Sequence, residues 1–252
     1  MSCLKINTEL CRGCGMCARD CITQCLKVEN HKITIVEEEA SNCFKCGHCA
    51  SICKSKAITL FEKPLENVPE GHKDVIDAIK TRRSTRSFKG PIPKEELTEL
   101  INLTRFSPSA KNWRPIKYLV INEPKLTDVI KKLNEVALQI PEIVNIFGNF
   151  LSVDLIVRKA PHVVIAYVDD SQNVWANDDG TIALTQLELA ATNKGYGSLW
   201  CGLLKFMFSF NECLDIVGLK GKKVVGCLAM GVPLYHYTSQ VPREDVPIIF
   251  LE

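Results

Sequence analysis

The chain has 252 residues, 31 Lys and Arg against 29 Asp and Glu, 46% apolar and 24% charged residues. This is the balance of a globular protein able to bury a core; it excludes disorder, collagen and coiled coil. The net charge of +2 comes from scattered basic residues, so no nucleic-acid footprint is expected, and no apolar run approaches the ~18 residues of a membrane span. The start carries Lys5 and Cys11 instead of a secretory apolar segment, so a cytoplasmic location is expected.

Ten of the 13 cysteines fall between Cys3 and Cys53, which divides the chain into two expected domains. In a reducing compartment, dense cysteine points to metal rather than disulfides. Eight of them form one pattern twice, Cys11-x2-Cys14-x2-Cys17-x3-Cys21 and Cys43-x2-Cys46-x2-Cys49-x3-Cys53, offset by 32 residues, with Gly15/Gly47 and Ala18/Ala50 repeating too. Paired CxxC is also a zinc signature, but a zinc site takes four ligands from two pairs, and a third cysteine at the same spacing, twice, argues for clusters. Leu26–Val28 and Lys32–Ile35 read as a hairpin between the cysteine runs.

The doubled run resembles the bacterial two-cluster ferredoxins. That resemblance implies one 4Fe-4S cluster on Cys11, Cys14, Cys17 and Cys53, and another on Cys43, Cys46, Cys49 and Cys21. The usual Pro after each fourth cysteine is replaced by Ile22 and Lys54. Cys3 and Cys25, outside the pattern, read as small buried hydrophobes, and His48, between two cysteines of a complete set, as exposed. The cluster domain is assigned to residues 1–60 and a Pro-rich linker to 61–70.

A second domain is expected over 71–252. Periodicity predicts helices at Asp74–Thr81, Pro93–Arg105, Pro124–Gln139, Asp178–Lys194 and Asn211–Val217. Strands are predicted at Ile116–Ile121, His162–Val168 and Lys223–Met230, a pattern that fits α/β and α+β alike. After the first helix comes Arg82-Arg83-Ser84-Thr85-Arg86-Ser87-Phe88, whose guanidinium forks and hydroxyls suit a phosphate dianion; cations also simply favour a helix C-terminus. Glu188, in an apolar helical stretch, reads as a residue of the solvated face. Cys201, Cys213 and Cys227 read as inert core thiols.

Residues 74–252 resemble the flavin-dependent nitroreductase family. Four ordered segments carry the resemblance: Arg82-Arg83-Ser84-x-Arg86-x-Phe88, Ser107-Pro108-Ser109-x-x-Asn112-x-Arg114-Pro115, Gly195-x-Gly197-Ser198-x-Trp200-x-Gly202, and Val224-Val225-Gly226 to Gly231-Val232-Pro233 with Arg243 beyond. It implies an α+β nitroreductase-like fold and FMN held in a homodimer with shared sites. Arg82, Arg83, Ser84 and Arg86 would hold the phosphate, ribityl chain and pyrimidine edge, with Arg243 adding a phosphate contact. Pro108, Ser109 and Asn112 would come from the partner subunit, and Leu199, Trp200, Cys201 and the Gly202 amide would face flavin N5, where the chemistry resides. No protein side chain is expected to be catalytic. Arg114 stands where the family has Gln.

The function expected is an FMN oxidoreductase coupling one-electron iron-sulfur transfer to two-electron reduction of a small electrophile: a nitroaromatic, a quinone or an activated alkene. Reduced ferredoxin or NAD(P)H would be the donor. Two alternatives are an NAD(P)H-fed flavoenzyme exporting electrons through its clusters, and an electron carrier or flavin-binding module without turnover.

Overall fold

The computed structural model describes residues 4–61, 74–148, 151 and 153–251; Cys3 and nearly all of the 61–70 linker lie outside them. The chain forms two compact units, Met1–Gly71 with Tyr235–Glu252, and His72–Leu234. The second unit therefore ends earlier than the expected 71–252, because the C-terminal tail packs with the cysteine-rich unit.

In the first unit, β1 (Leu4–Ile6) precedes α1 (Met16–Arg19), β2 (Leu26–Glu29) and β3 (Lys32–Ile35) form the expected hairpin, and α2 (His48–Ile52) precedes β4 (Ile58–Leu60). β1 and β4 pair antiparallel, Leu4 opposite Leu60. The sequence repeat is a structural repeat. Each cysteine run enters its short helix through a left-handed glycine, Gly15 at φ 70° and Gly47 at φ 73°, a conformation costly for any residue with a Cβ.

The tail completes this unit. Thr238 N–H donates to the Ser51 carbonyl at 3.0 Å, Ser51 Oγ donates to the Ser239 carbonyl, and a Cβ added at Gly47 would run into Val241.

The second unit contains α3 (Val75–Thr81), β5 (Phe88–Gly90), α4 (Lys94–Leu103), β6 (Lys117–Asn122), α5 (Lys125–Ala137), α6 (Pro141–Phe147), α7 (Val153–Ile156) and β7 (His162–Val168). It continues with α8 (Ala176–Asn193), β8 (Gly197–Trp200), α9 (Gly202–Met207), α10 (Asn211–Ile216) and β9 (Lys223–Pro233). Its five-stranded sheet runs β5-β9-β7-β6, with β8 also on β9. These pairings are antiparallel, which decides for α+β, the question periodicity left open.

The period of two along the central strands divides the core. Val163, Ile165, Cys227 and Ala229 face one apolar layer with α5 and α10, while Val164, Ala166, Leu228 and Met230 face the other with α4 and α8. Among the described residues, no helix is long and apolar enough to cross a membrane.

Candidate functional site

The arginine motif begins where α3 stops. Arg82 leaves the helix with extended ψ 134°, and the chain then runs beside β8: Ser84 forms a parallel bridge to Ser198, and Thr85 N–H donates to the Ser198 carbonyl at 2.8 Å. The approach requires glycine, since a Cβ at Gly197 would meet Thr85 Oγ1 at 2.5 Å. Two motifs more than a hundred residues apart thus lie side by side.

Glu188, on α8, joins them. Only 4% exposed, it accepts Ser198 Oγ–H at 2.9 Å on one oxygen and Trp200 Nε1–H at 3.0 Å on the other, with the Arg82 guanidinium 3.6 Å away. The expectation of a solvated Glu188 is corrected: a carboxylate is buried when donors satisfy its oxygens, and these come from Ser198 and Trp200 of β8, with the Arg82 charge nearby. Arg83 folds back on its helix end, donating from Nη1 to the carbonyls of Lys80 and Arg82 at 3.1 and 2.8 Å. Arg86 is half-buried in the same loop.

β8 leads into the rest of the glycine-rich motif. Leu199 and Trp200 are half-buried and Gly202 is exposed. Cys201 is buried, and burial pushes its thiol from 9.0 up to about 12, so at neutral pH it is an inert thiol. Burial likewise pushes Cys213 up to about 11 and Cys227 well above 9.0.

The third segment is held elsewhere. Asp179, at the start of α8, accepts the Ala110 N–H at 2.9 Å. Ser109 Oγ accepts the Arg114 N–H at 2.9 Å, and Asn112 Oδ1 accepts Arg114 Nε–H at 3.1 Å. Lys111, Asn112 and Arg114 all have φ of 50–55°, a strained run of a kind that persists where surroundings over-determine it. Arg114, the departure from the family's Gln, thus braces its own loop. Asp179 and Glu188 are nine residues apart on one helix, about 13 Å along its axis, so within one chain the Pro108–Asn112 segment anchors at a different place from the arginine motif. Arg243 lies exposed in the tail of the first unit.

In the first unit, Cys11 Sγ accepts N–H groups from Gly13 and Ile33, both at 3.4 Å, and Cys53 Sγ accepts the Ala57 N–H at 3.3 Å. Burial pushes Cys17 up to about 11, and among the like charges adding to the push are Cys53 and Cys14. Cys49 is raised well above 9.0, first by burial and then by the charges of Cys46, Cys21 and Cys17. Cys21, Cys43, Cys46 and Cys49 line one small cavity of about 20 Å³. No three His, Cys, Asp or Glu side chains among the described residues are grouped to hold a metal ion. Cys25 is buried, its Sγ 3.1 Å from the Glu39 carbonyl.

His48 is 5% exposed, which corrects the expectation of an exposed imidazole. Its Nδ1 lies 3.2 Å from Asp20 Oδ2 and 3.3 Å from the Tyr237 hydroxyl. Spacing shows neither partner, one just after the other cysteine helix and one on the tail.

An antiparallel α+β sheet between helix layers, with an arginine loop laid against a glycine-rich edge strand, defines the nitroreductase fold class. The model of the nitroreductase family matches residues 79–232, and the chain belongs to that family. A Methanothermobacter thermautotrophicus protein named "Putative NADH dehydrogenase/NAD(P)H nitroreductase" is 30% identical over 135 residues, covering 52% of this chain and 61% of that protein. The chain thus matches less than two thirds of that relative's length. The FMN-bound nitroreductase of Bacteroides fragilis superposes with a TM-score of 0.60 at 23% identity, over 71% of this chain and all of that one. The FMN-dependent nitroreductase of Mycobacterium smegmatis, in complex with NADPH, gives 0.55 at 19% identity, over 68% of this chain and 96% of that one.

Proposed function

We propose that the protein is an FMN-dependent oxidoreductase in which two 4Fe-4S clusters on the cysteine-rich unit exchange single electrons with a flavin on the nitroreductase unit, for reduction of a small electrophile. The observation that supports the cluster half is the placing of Cys21, from the first run, at one cavity with Cys43, Cys46 and Cys49 of the second. A zinc ribbon would gather thiols on one point, whereas a cubane takes one thiolate per iron around its faces. The backbone N–H groups aimed at Cys11 and Cys53 suit thiolates, which accept hydrogen bonds and are stabilised by them.

On the nitroreductase unit, Arg82 and Arg86 are proposed to offer guanidinium donors to a phosphate and Ser84 a hydroxyl, with Glu188 holding Ser198 and Trp200 beside them. The exposed Gly202 backbone is proposed to present its amide to flavin N5; Leu199 and Cys201 before it pack into one apolar layer and Trp200 into the other, so these three side chains do not share one face. FMN supplies the interconversion of single electrons and hydride, which no side chain here can perform. The names of the relatives favour NAD(P)H as a donor beside a reduced ferredoxin.

The Pro108–Asn112 segment, anchored about 13 Å along α8 from Glu188, is proposed to complete the site of a second copy. Val75, Ile76, Ile79, Phe106 and Trp113 are each more than half exposed, and such surface supports a homodimer.

The test is anaerobic analysis of iron, sulfide and FMN in wild type and in Cys21→Ala and Cys53→Ala. About eight iron and eight sulfide per chain are expected. Each variant should lose the cluster whose other three ligands lie in the opposite run. Stoichiometric zinc without sulfide would overturn the cluster assignment.

A further inference from the structure

A cavity of about 670 Å³ opens in the nitroreductase unit, with Gly202, Lys205, Phe206, Phe208, Lys222 and Lys223 on its walls. Its size lies within the ~300–1,000 Å³ of small-molecule sites. Three lysines line it and, among the described residues, no Asp or Glu does. Lys222 is paired from outside the lining with Asp169, which also pairs with Lys117. Lys223 donates one proton to the Asn173 carbonyl at 3.2 Å, which leaves its charge and two further donors. Lys205 has no hydrogen-bond or salt-bridge partner among the described residues, and its charge is felt by the buried Cys227 thiol. The side chains of Phe206, Phe208 and Val224 add apolar wall.

Two uncompensated ammonium groups over an aromatic and aliphatic surface recognise one kind of ligand: an organic anion with a flat apolar body. We infer that this cavity binds the electrophile, and that the electrophile is an aromatic or conjugated molecule carrying a carboxylate or phosphate, held by Lys205 and Lys223. The inference rests on the reading of Gly202 as the residue at flavin N5. That glycine lines the cavity, so a ligand anchored by the two lysines extends its apolar body toward the reacting atom. A phosphate and a carboxylate share this chemistry.

The experiment is titration calorimetry on the FMN-loaded protein with 4-nitrobenzoate, 4-nitrophenyl phosphate and the neutral 4-nitrobenzamide, at low and high salt. One charge-assisted contact gives about tenfold or more in affinity, so at least one anion should bind at least tenfold more tightly than the amide, with the gap closing in high salt. A stronger phosphate than carboxylate gap identifies a phosphate ligand, and the reverse a carboxylate. Lys205→Ala with Lys223→Ala should bring the ratio close to one, and Lys205→Glu should turn it in favour of the amide, with circular dichroism showing each variant folded. Equal affinity of both anions and the amide in wild type, or an unchanged ratio in the folded double variant, overturns the inference. Anaerobic reoxidation of the reduced flavin by the same compounds is read separately. Tight anion binding without reoxidation leaves the cavity assignment standing and removes the oxidoreductase reading; reoxidation with no preference for the anions does the reverse.

Discussion

Removing the Glu188 carboxylate should destabilise the nitroreductase unit even without any cofactor. Glu188→Ala deletes the acceptor of two hydrogen bonds, from Ser198 at 2.9 Å and Trp200 at 3.0 Å. Bonds to a charged acceptor contribute roughly 1.5–3 kcal/mol each, which sets a range of about 3–6 kcal/mol. The Arg82 pair adds little, because at 3.6 Å and with 34% of the arginine side chain exposed it is screened by solvent. The lower part of the range, about 3–4 kcal/mol, is the better expectation, since water can enter the space left and partly satisfy the freed donors. Glu188→Gln keeps the shape but turns an amide N–H₂ toward one donor, so roughly half that loss should remain. Urea denaturation of FMN-free protein, followed by far-ultraviolet circular dichroism, reads both. A loss below about 0.5 kcal/mol for the alanine variant, the scale of an ordinary surface substitution, would show that Glu188 does not hold the two motifs together.

The other expectations follow from the same geometry. Arg82→Ala and Arg86→Ala should each weaken FMN binding by about 1.5–3 kcal/mol with iron content unchanged; fluorescence titration showing wild-type affinity in both would return the motif to a helix-end cation cluster. Cys201, raised to about 12 by burial, should resist iodoacetamide at pH 8 until the protein unfolds. Because its folded pKa lies above the unfolded value near 9.0, its contribution to stability is complete below that value and declines as pH rises from there toward about 12. His162 has the opposite sign: burial lowers its pKa, and its Nε2 accepts the Ile92 N–H at 2.9 Å. Its share of stability should be present above the ordinary histidine value and fall as pH drops below it, an effect that His162→Gln should remove from the pH dependence of unfolding. Mixing Arg86→Ala with Asn112→Ala protomers should restore part of the flavin binding, since a heterodimer would contain one intact shared site; full subunit exchange without recovery would contradict sharing.

The features legible in the sequence are those set by local chemistry. The doubled cysteine spacing, the glycines that enter α1 and α2, the hairpin between them, and the apolar runs of β7 and β9, buried on both faces, are all visible in short windows. The residues misread are those whose environment is supplied from far along the chain. Glu188 lies in an apolar helix and reads as solvated until Arg82, Ser198 and Trp200 are brought to it by the pairing of β8 with β9. His48 is enclosed by Asp20, at the end of the other cysteine helix, and Tyr237 from the tail. β8 is only four residues long and is not among the strands predicted from periodicity, and the close approach of Thr85 that requires Gly197 is a tertiary fact. The tail shows no period at all, and only its contacts with Gly47 and Ser51 place it on the cysteine-rich unit.

The coupling of clusters to flavin on one chain is tested most directly by a reductive titration of the purified protein under anaerobic conditions, followed by absorbance and electron paramagnetic resonance. Two cubanes accepting one electron each and one flavin accepting two give about four electrons per chain, with cluster signals developing as the flavin bleaches. Uptake of about two electrons, with flavin bleaching and no paramagnetic cluster at any stage, would contradict the account.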